Sequence, residues 1–273
     1  MKKIILAVLA TLSINAFAQS YLIMDNGMVV TTDKSGFAYD MGNFAFPQKV
    51  TMKGGQFFVE DSNVIVTVDE RGTLYRKYEV IPEKILGKGI NYFISEAGEL
   101  YSIDSQGLVH ITTNEAYKLA GGFGGNYFMT SAGELYTVTK DGVAQKTSTE
   151  GIVNLRDLVA FGGRYFMTNR GVVYTISDDG RMTPRADIRV GVLQKRGGNF
   201  FTDSANVIFT VSADGDLKIP ALPMGFKLMN MTKTATNYFL DLNGKLFTVT
   251  DQGEIYERVV QGLDMRNVRI ISL

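Results

Sequence analysis

The chain of 273 residues contains no cysteine, no tryptophan and only one histidine. Without cysteine there is no disulfide, no thiolate nucleophile, no sulfur-ligated metal and no thiol to carry a lipid anchor. A single imidazole, His110, cannot build a histidine-ligated zinc site. No Gly-x-Ser-x-Gly turn or comparable serine context accompanies it, so a hydrolase triad lacks its nucleophile. His110 reads instead as a partly exposed strand histidine. Charge is balanced, with 28 Lys and Arg against 28 Asp and Glu spread along the chain, which leaves no polybasic footprint for nucleic acid or anionic lipid. Beyond the N-terminus no stretch approaches the ~20 uninterrupted apolar residues of a membrane span.

What is present begins with a leader. Lys2 and Lys3 precede the apolar run Ile4 to Ala10, and Ala16-Phe17-Ala18 is a small-x-small cleavage site. That layout is a secretory signal peptide over residues 1–18, too short in its apolar part to span a bilayer. The expected location is periplasmic or extracellular, with a mature chain starting at Gln19. Its 255 residues carry 26 basic and 28 acidic side chains, and a chain of that size buries enough surface to fold without staples.

The dominant signal is repetition. "GINYFISEAGELYSIDSQG" (89–107) is followed 35 residues later by "GGNYFMTSAGELYTVTKDG" (124–142). The second aromatic of this motif falls at Phe58, Phe93, Phe128, Phe166, Phe201 and Phe239, with Leu22 in the same place in "SYLIMDNG". A glycine follows each marker fourteen residues on: Gly36, Gly72, Gly107, Gly142, Gly180, Gly215 and Gly253. Seven copies at intervals of 35 to 38 residues signal a stacked or circular array.

Each copy reads as four strands. "NYFMT" and "ELYTVT" are short and rich in aromatic and β-branched residues, and "AG", "RG" or "NG" between them marks a tight hairpin. The repeat glycine closes the next turn, where a left-handed conformation is needed. A third strand follows, as in "LVHITT" from Leu108, and a fourth precedes each marker, ending in a double glycine that reads as a two-residue hairpin loop. In "ELYTVT" Leu135 points to one side and Tyr136 and Val138 to the other, so both faces are apolar. A sheet pressed between two neighbours has that character. The chain ends in "MRNVRIISL", the inner-strand segment of an eighth copy, and the mature chain begins with what should follow it. The expected fold is therefore all-β: a single domain over 19–273, a seven-bladed β-propeller of four-stranded antiparallel blades, its ring closed by the C-terminal strand pairing with the N-terminal blade.

The strand and turn "GELYSIDSQG" (98–107), with relatives at 133–142 and 244–253, resembles the Gly-x-Leu/Val-Tyr-x-Leu-Asp-x-x-Gly element of quinoprotein-type (pyrroloquinoline-quinone-like) propellers. That superfamily includes quinone-dependent dehydrogenases and non-enzymatic periplasmic assembly scaffolds. The likeness covers one strand and turn per blade and implies a propeller in an exported location. This chain lacks the tryptophan those repeats carry after the glycine, and no cofactor-binding residue is carried over. No cofactor and no metal are expected.

Candidate chemistry is sparse. The acidic pairs Asp69-Glu70, Asp178-Asp179 and Asp214/Asp216 lie in the turns at the repeat glycine, where aspartate bonds the local backbone, rather than at metal-ligand spacing. The polar column Gln56, Asn91, Asn126, Arg164, Asn199 and Asn237 is expected to satisfy hairpin backbone groups. Asn230-Met231-Thr232 matches a glycosylation acceptor but falls in an expected inner strand. Tyr127, Tyr165, Tyr238 and their kin are expected to pack between blades. The residue before each double glycine is Lys53, Lys88 or Arg196 in three blades and Phe123, Phe161 or Thr234 in others. These positions recur around one end of the channel, and a cationic and aromatic rim of Lys53, Lys88, Arg196, Phe123 and Phe161 would bind a carboxylate, phosphate or acidic loop. The leading expectation is a monomeric, non-enzymatic scaffold for a protein or peptide partner. Two further readings remain: a lectin-like glycan binder, and a hydrolase or lactonase with its residues in the connectors.

Overall fold

A computed structural model describes residues 20–78, 81–147, 157–186, 188 and 190–271; the expected leader lies outside them. The chain forms seven four-stranded antiparallel sheets, and each is a meander consecutive in sequence except the first. Blades 2 to 7 span 50–78, 85–113, 120–147, 158–185, 193–218 and 231–258. Blade 4 is typical, with strands Ala120–Phe123, Tyr127–Thr130, Leu135–Val138 and Ala144–Thr147. In blade 1 the inner strand Val268–Ile271 pairs with Ser20–Met24, so Leu22 faces Ile271 and Met24 faces Val268. The molecule is a seven-bladed β-propeller closed by its last strand, as the sequence indicates.

In blade 4 the middle two strands are buried throughout, while the fourth is half-buried to exposed. Separate apolar clusters fill the gaps between blades: Leu135 packs with Phe166 and Tyr174 of blade 5, whereas Tyr136 and Val138 pack with Tyr92 and Ile94 of blade 3. The marker aromatic stacks on its cross-strand partner, as in Phe128 over Tyr136, with centroids 5.1 Å apart and planes 8° from parallel. The tyrosine before it reaches into the next blade. Tyr21 donates to the Phe57 carbonyl at 2.9 Å, Tyr127 to Tyr165 at 3.2 Å and Tyr165 to Phe200 at 2.9 Å. Tyr92 makes the same bond to Tyr127.

The repeat glycines answer two demands at once. All seven have φ between +74° and +85°. The carbonyls of Gly36, Gly72, Gly107, Gly142, Gly215 and Gly253 also accept bonds from the preceding blade, as Gly72 does from Thr31 at 2.7 Å and Gly107 from Thr67 at 2.8 Å. A Cβ on Gly180 would lie 2.5 Å from Thr137 Oγ1. The double glycines differ from expectation. Gly54 N donates to Phe57 O, so the two loop residues are Gly55 and Gln56, one position later than the glycine pair suggests. Neither glycine has a positive φ. They are small because a Cβ on Gly124 would strike the Tyr127 ring at 2.0 Å, and one on Gly125 would meet the Gly163 backbone at 2.1 Å.

Candidate functional site

Both the inner hairpins and the turns at the repeat glycine lie at one end of the disc, because successive strands run in opposite directions. The hairpins bond to one another blade by blade: Gly55 N to Ile90 O, Ile90 N to Gly125 O, Gly125 N to Gly162 O, Arg164 N to Gly198 O and Gly198 N to Ala235 O, at 2.5–3.1 Å. The turns form a second ring. The backbone N–H groups of Lys34, Glu70, Ser105, Lys140, Asp178, Ala213 and Asp251 each donate to the carbonyl of the next member, and Asp251 returns to Lys34, at 2.8–3.4 Å. Seven direct N–H···O steps draw the turns in around the axis.

The polar column lies buried between these rings. Asn91 Nδ2 reaches Ile103 O at 3.4 Å and Thr139 O of the next blade at 3.3 Å, and Asn199 Nδ2 reaches Val249 O at 3.3 Å. These amides tie blades together rather than satisfy their own hairpins, which corrects the sequence expectation. Arg164 departs from the column. Its guanidinium, 2% exposed, pairs with Asp178 at 2.8 Å and with Asp251, two blades on, at 2.9 Å. Burial pushes both carboxyls above their usual range despite the guanidinium, and their charges act against each other. Burial pulls Arg164 down, but the two acids outweigh it and hold it above its ordinary value. Asp178 is therefore not the local turn-former expected from its position. Asp69 is one, accepting from Arg71 N at 2.9 Å and Thr73 N at 2.8 Å.

On the channel side of the hairpins lies a cavity of about 530 Å³. Its floor is the hairpin backbone from Gly89 to Gly198 and its wall the inner strands of blades 3 to 7. Lys88, Phe123, Phe161 and Arg196 all line it, beside the floor rather than at an outer lip. Lys53 does not; it borders an adjoining cleft of about 850 Å³ that Lys88 also touches. Lys88 Nζ donates to the Lys53 carbonyl, and burial, reinforced by the Lys53 charge, lowers its pKa. Every inner strand slips its register against its neighbour, a bulge that turns extra side chains toward the channel. Gln194 and Thr232 join the wall at these bulges, and Thr236 joins the floor from its hairpin. Sequence reasoning passed over them, although Gln194/Arg196 and Thr232/Thr234 alternate as one strand face should. Among the described residues no acidic side chain lines the cavity.

His110 lies on an outer strand, its Nε2 2.8 Å from Asp104 Oδ2. It occupies the position of Tyr39 and Tyr75, whose hydroxyls bond Asp33 and Asp69 in the same way. Among the described residues no group of three or more His, Cys, Asp or Glu side chains is arranged to hold a metal ion. Among them, too, no helix is long and apolar enough to cross a membrane.

No protein-family model and no curated protein sequence matches the chain. Solved structures do. The chain is similar to virginiamycin B lyase from Staphylococcus aureus, with a TM-score of 0.35 and 13% identity over 89% of this chain and 95% of that one. It is similar to YCF48 bound to D1 peptide, with a TM-score of 0.30 and 13% identity over 89% and 83%. It is similar also to PorZ, a surface component of the type-IX secretion system of Porphyromonas gingivalis, with a TM-score of 0.26 and 10% identity over 89% and 46%. At such values no function passes from them to this chain, and the fold rests on the strand pairing itself.

Proposed function

We propose that this chain is an exported, monomeric, non-enzymatic propeller that binds a protein or peptide partner at its axial cavity. One observation carries it: Lys88 and Arg196 flank Phe123 and Phe161 on the wall of a cavity that no acidic side chain lines among the described residues. Cations beside aromatic faces in a concave, partly dry site suit recognition of a polypeptide better than turnover. The single histidine is committed to Asp104 on the opposite side of its sheet from the channel, which leaves the cavity without an imidazole base. Export follows from the basic, apolar and small-x-small segments of residues 1–18. The strand-and-turn likeness to quinoprotein-type propellers agrees with the scaffold members of that superfamily, and Lys53 would extend the cationic surface into the adjoining cleft.

The test is affinity capture from the native exported fraction with the folded chain as bait. A protein retained by the chain and released by the Arg196→Gln variant is the expected result. Retention of glycans alone would replace the scaffold by a lectin.

A further inference from the structure

The axial cavity is blind. A Cβ on Gly125 or Gly163 would meet Ile90 Cδ1 at 2.6 or 2.4 Å, so the Ile90 side chain lies across the hairpins of blades 3, 4 and 5. A Cβ on Gly55 would meet both Ile90 Cγ2 at 2.5 Å and Thr236 Oγ1 at 2.7 Å, although Thr236 belongs to blade 7. These two side chains close the centre of the floor, and behind it lie the Arg164 ion pairs and the ring of turns. A polypeptide cannot thread through; what enters must end there.

The lining specifies the end. Arg196 has an exposed guanidinium and makes no ion pair among the described residues. Lys88 holds its charge close to the floor, and the Thr236 hydroxyl, 1% exposed and on the cavity lining, has no hydrogen-bond partner. The two cations thus offer hydrogen bonds to an oxyanion, and no described residue of the lining offers a negative charge to an amine. Between the two cations stand Phe123 and Phe161. An aspartate or glutamate side chain on a loop would bring charge but no apolar group to these rings. A chain's last residue brings both from one Cα, and the volume falls in the ~300–1,000 Å³ range of ligand sites.

Resting on the protein-binding reading above, we infer that the axial cavity receives the free C-terminal end of a partner polypeptide. The terminal α-carboxylate bonds Arg196 and Lys88, and an apolar last side chain lies on Phe123 and Phe161. Backbone and side chains of the preceding few residues follow the inner strands outward.

Calorimetric titration of the full chain with N-acetyl tetrapeptides ending in phenylalanine or leucine tests this, each peptide as free acid and as C-terminal amide. The acids should bind at least tenfold more tightly than the amides, as expected for loss of a charge-assisted pair. Arg196→Gln should weaken acid binding about tenfold and remove most of the difference between acid and amide. Lys88→Arg, which keeps the charge, should retain both, and unchanged melting of each variant shows that it is folded. Equal binding of acids and amides overturns the inference. So does N-acetylphenylalanine binding as tightly as the tetrapeptides, which would make the cavity a site for small carboxylates. If the exported fraction yields a protein that excess free-acid peptide does not displace, the terminal-carboxylate inference falls while the scaffold reading stands. If no protein is retained at all, the scaffold reading falls with it.

Discussion

The Tyr238 hydroxyl donates to the backbone carbonyl of Tyr21 at 2.7 Å, joining residues 217 positions apart. It is the member of the tyrosine ladder that crosses the seam between blade 7 and blade 1. Tyr238→Phe should therefore lower stability by about 1–2 kcal/mol, since it leaves a buried carbonyl without its donor. Phe57 and Phe200 hold the same position without a hydroxyl. Phe57→Tyr should restore the missing rung and raise stability by up to about 1 kcal/mol. Urea titrations of the two variants check both signs.

Deleting residues 265–273 removes the strand that pairs with Ser20–Met24, together with Met265 and Val268 of the core under blade 1. The truncated chain should lose cooperative unfolding or melt far below the intact one. Equal melting temperatures would contradict the closure.

Arg164→Met leaves Asp178 and Asp251 buried without their cation, and should cost about 3–5 kcal/mol. Blades 3 and 6 show how the site can do without charge, since they carry Asn91 and Asn199 at the arginine position and Ser105 and Ala213 at the acid position. A triple variant, Arg164→Asn with Asp178→Ser and Asp251→Ala, should recover most of that loss. Denaturation midpoints of the single and triple variants decide it.

Tyr21, Tyr92, Tyr127 and Tyr165 are buried, and burial raises all four phenols above 10.0. A raised folded pKa means that the unfolded chain ionises first. Stability from these groups is whole below pH 10 and falls as the pH climbs toward the folded values, each group contributing up to about 1.4 kcal/mol per pH unit. Unfolding free energies between pH 9 and 11.5 should drop steeply, and Tyr92→Phe should flatten the slope by one proton.

Gly180 and Gly171 have φ of +85° and +76°, but only Gly180 is crowded. Gly171→Ala should cost about 1 kcal/mol of backbone strain, whereas Gly180→Ala should cost clearly more because its Cβ meets Oγ1 of the buried Thr137 at 2.5 Å. Gly142→Val combines strain with contact on His110 and should cost about 1–3 kcal/mol. Thermal melts of the three rank the two effects.

The blade count, strand order and seam were legible because they follow from period and from the apolar alternation of both middle strands. The reason for the double glycines was not. Their φ angles are ordinary; the first yields to an aromatic ring of its own blade, as Gly124 does to Tyr127, and the second to a neighbouring hairpin, as Gly125 does to the Gly163 backbone 2.1 Å from an added Cβ, a distance that exists only once the blades have packed together. The Arg164 ion pairs lay in view as a lone cation in a buried polar column and as Asp178 and Asp251 among the turn residues. Only the ring of turns, which brings blades 5 and 7 within one side chain of each other, shows that these departures answer one another. Four of the five expected wall residues share the axial cavity because inner strands keep their register from blade to blade. Lys53 falls away into the adjoining cleft.

The strand 268–271 also sets an order of events. Residues 20–43 carry three strands of a sheet whose fourth is made some 225 residues later, so blade 1 is begun before the other six blades and completed after them. Until then Ser20–Met24 presents an unpaired row of backbone amides and carbonyls, open to a stray strand from another chain. A second copy still growing nearby can offer its own segment there. Exchange of this one strand between molecules is the misassembly to which this architecture is exposed.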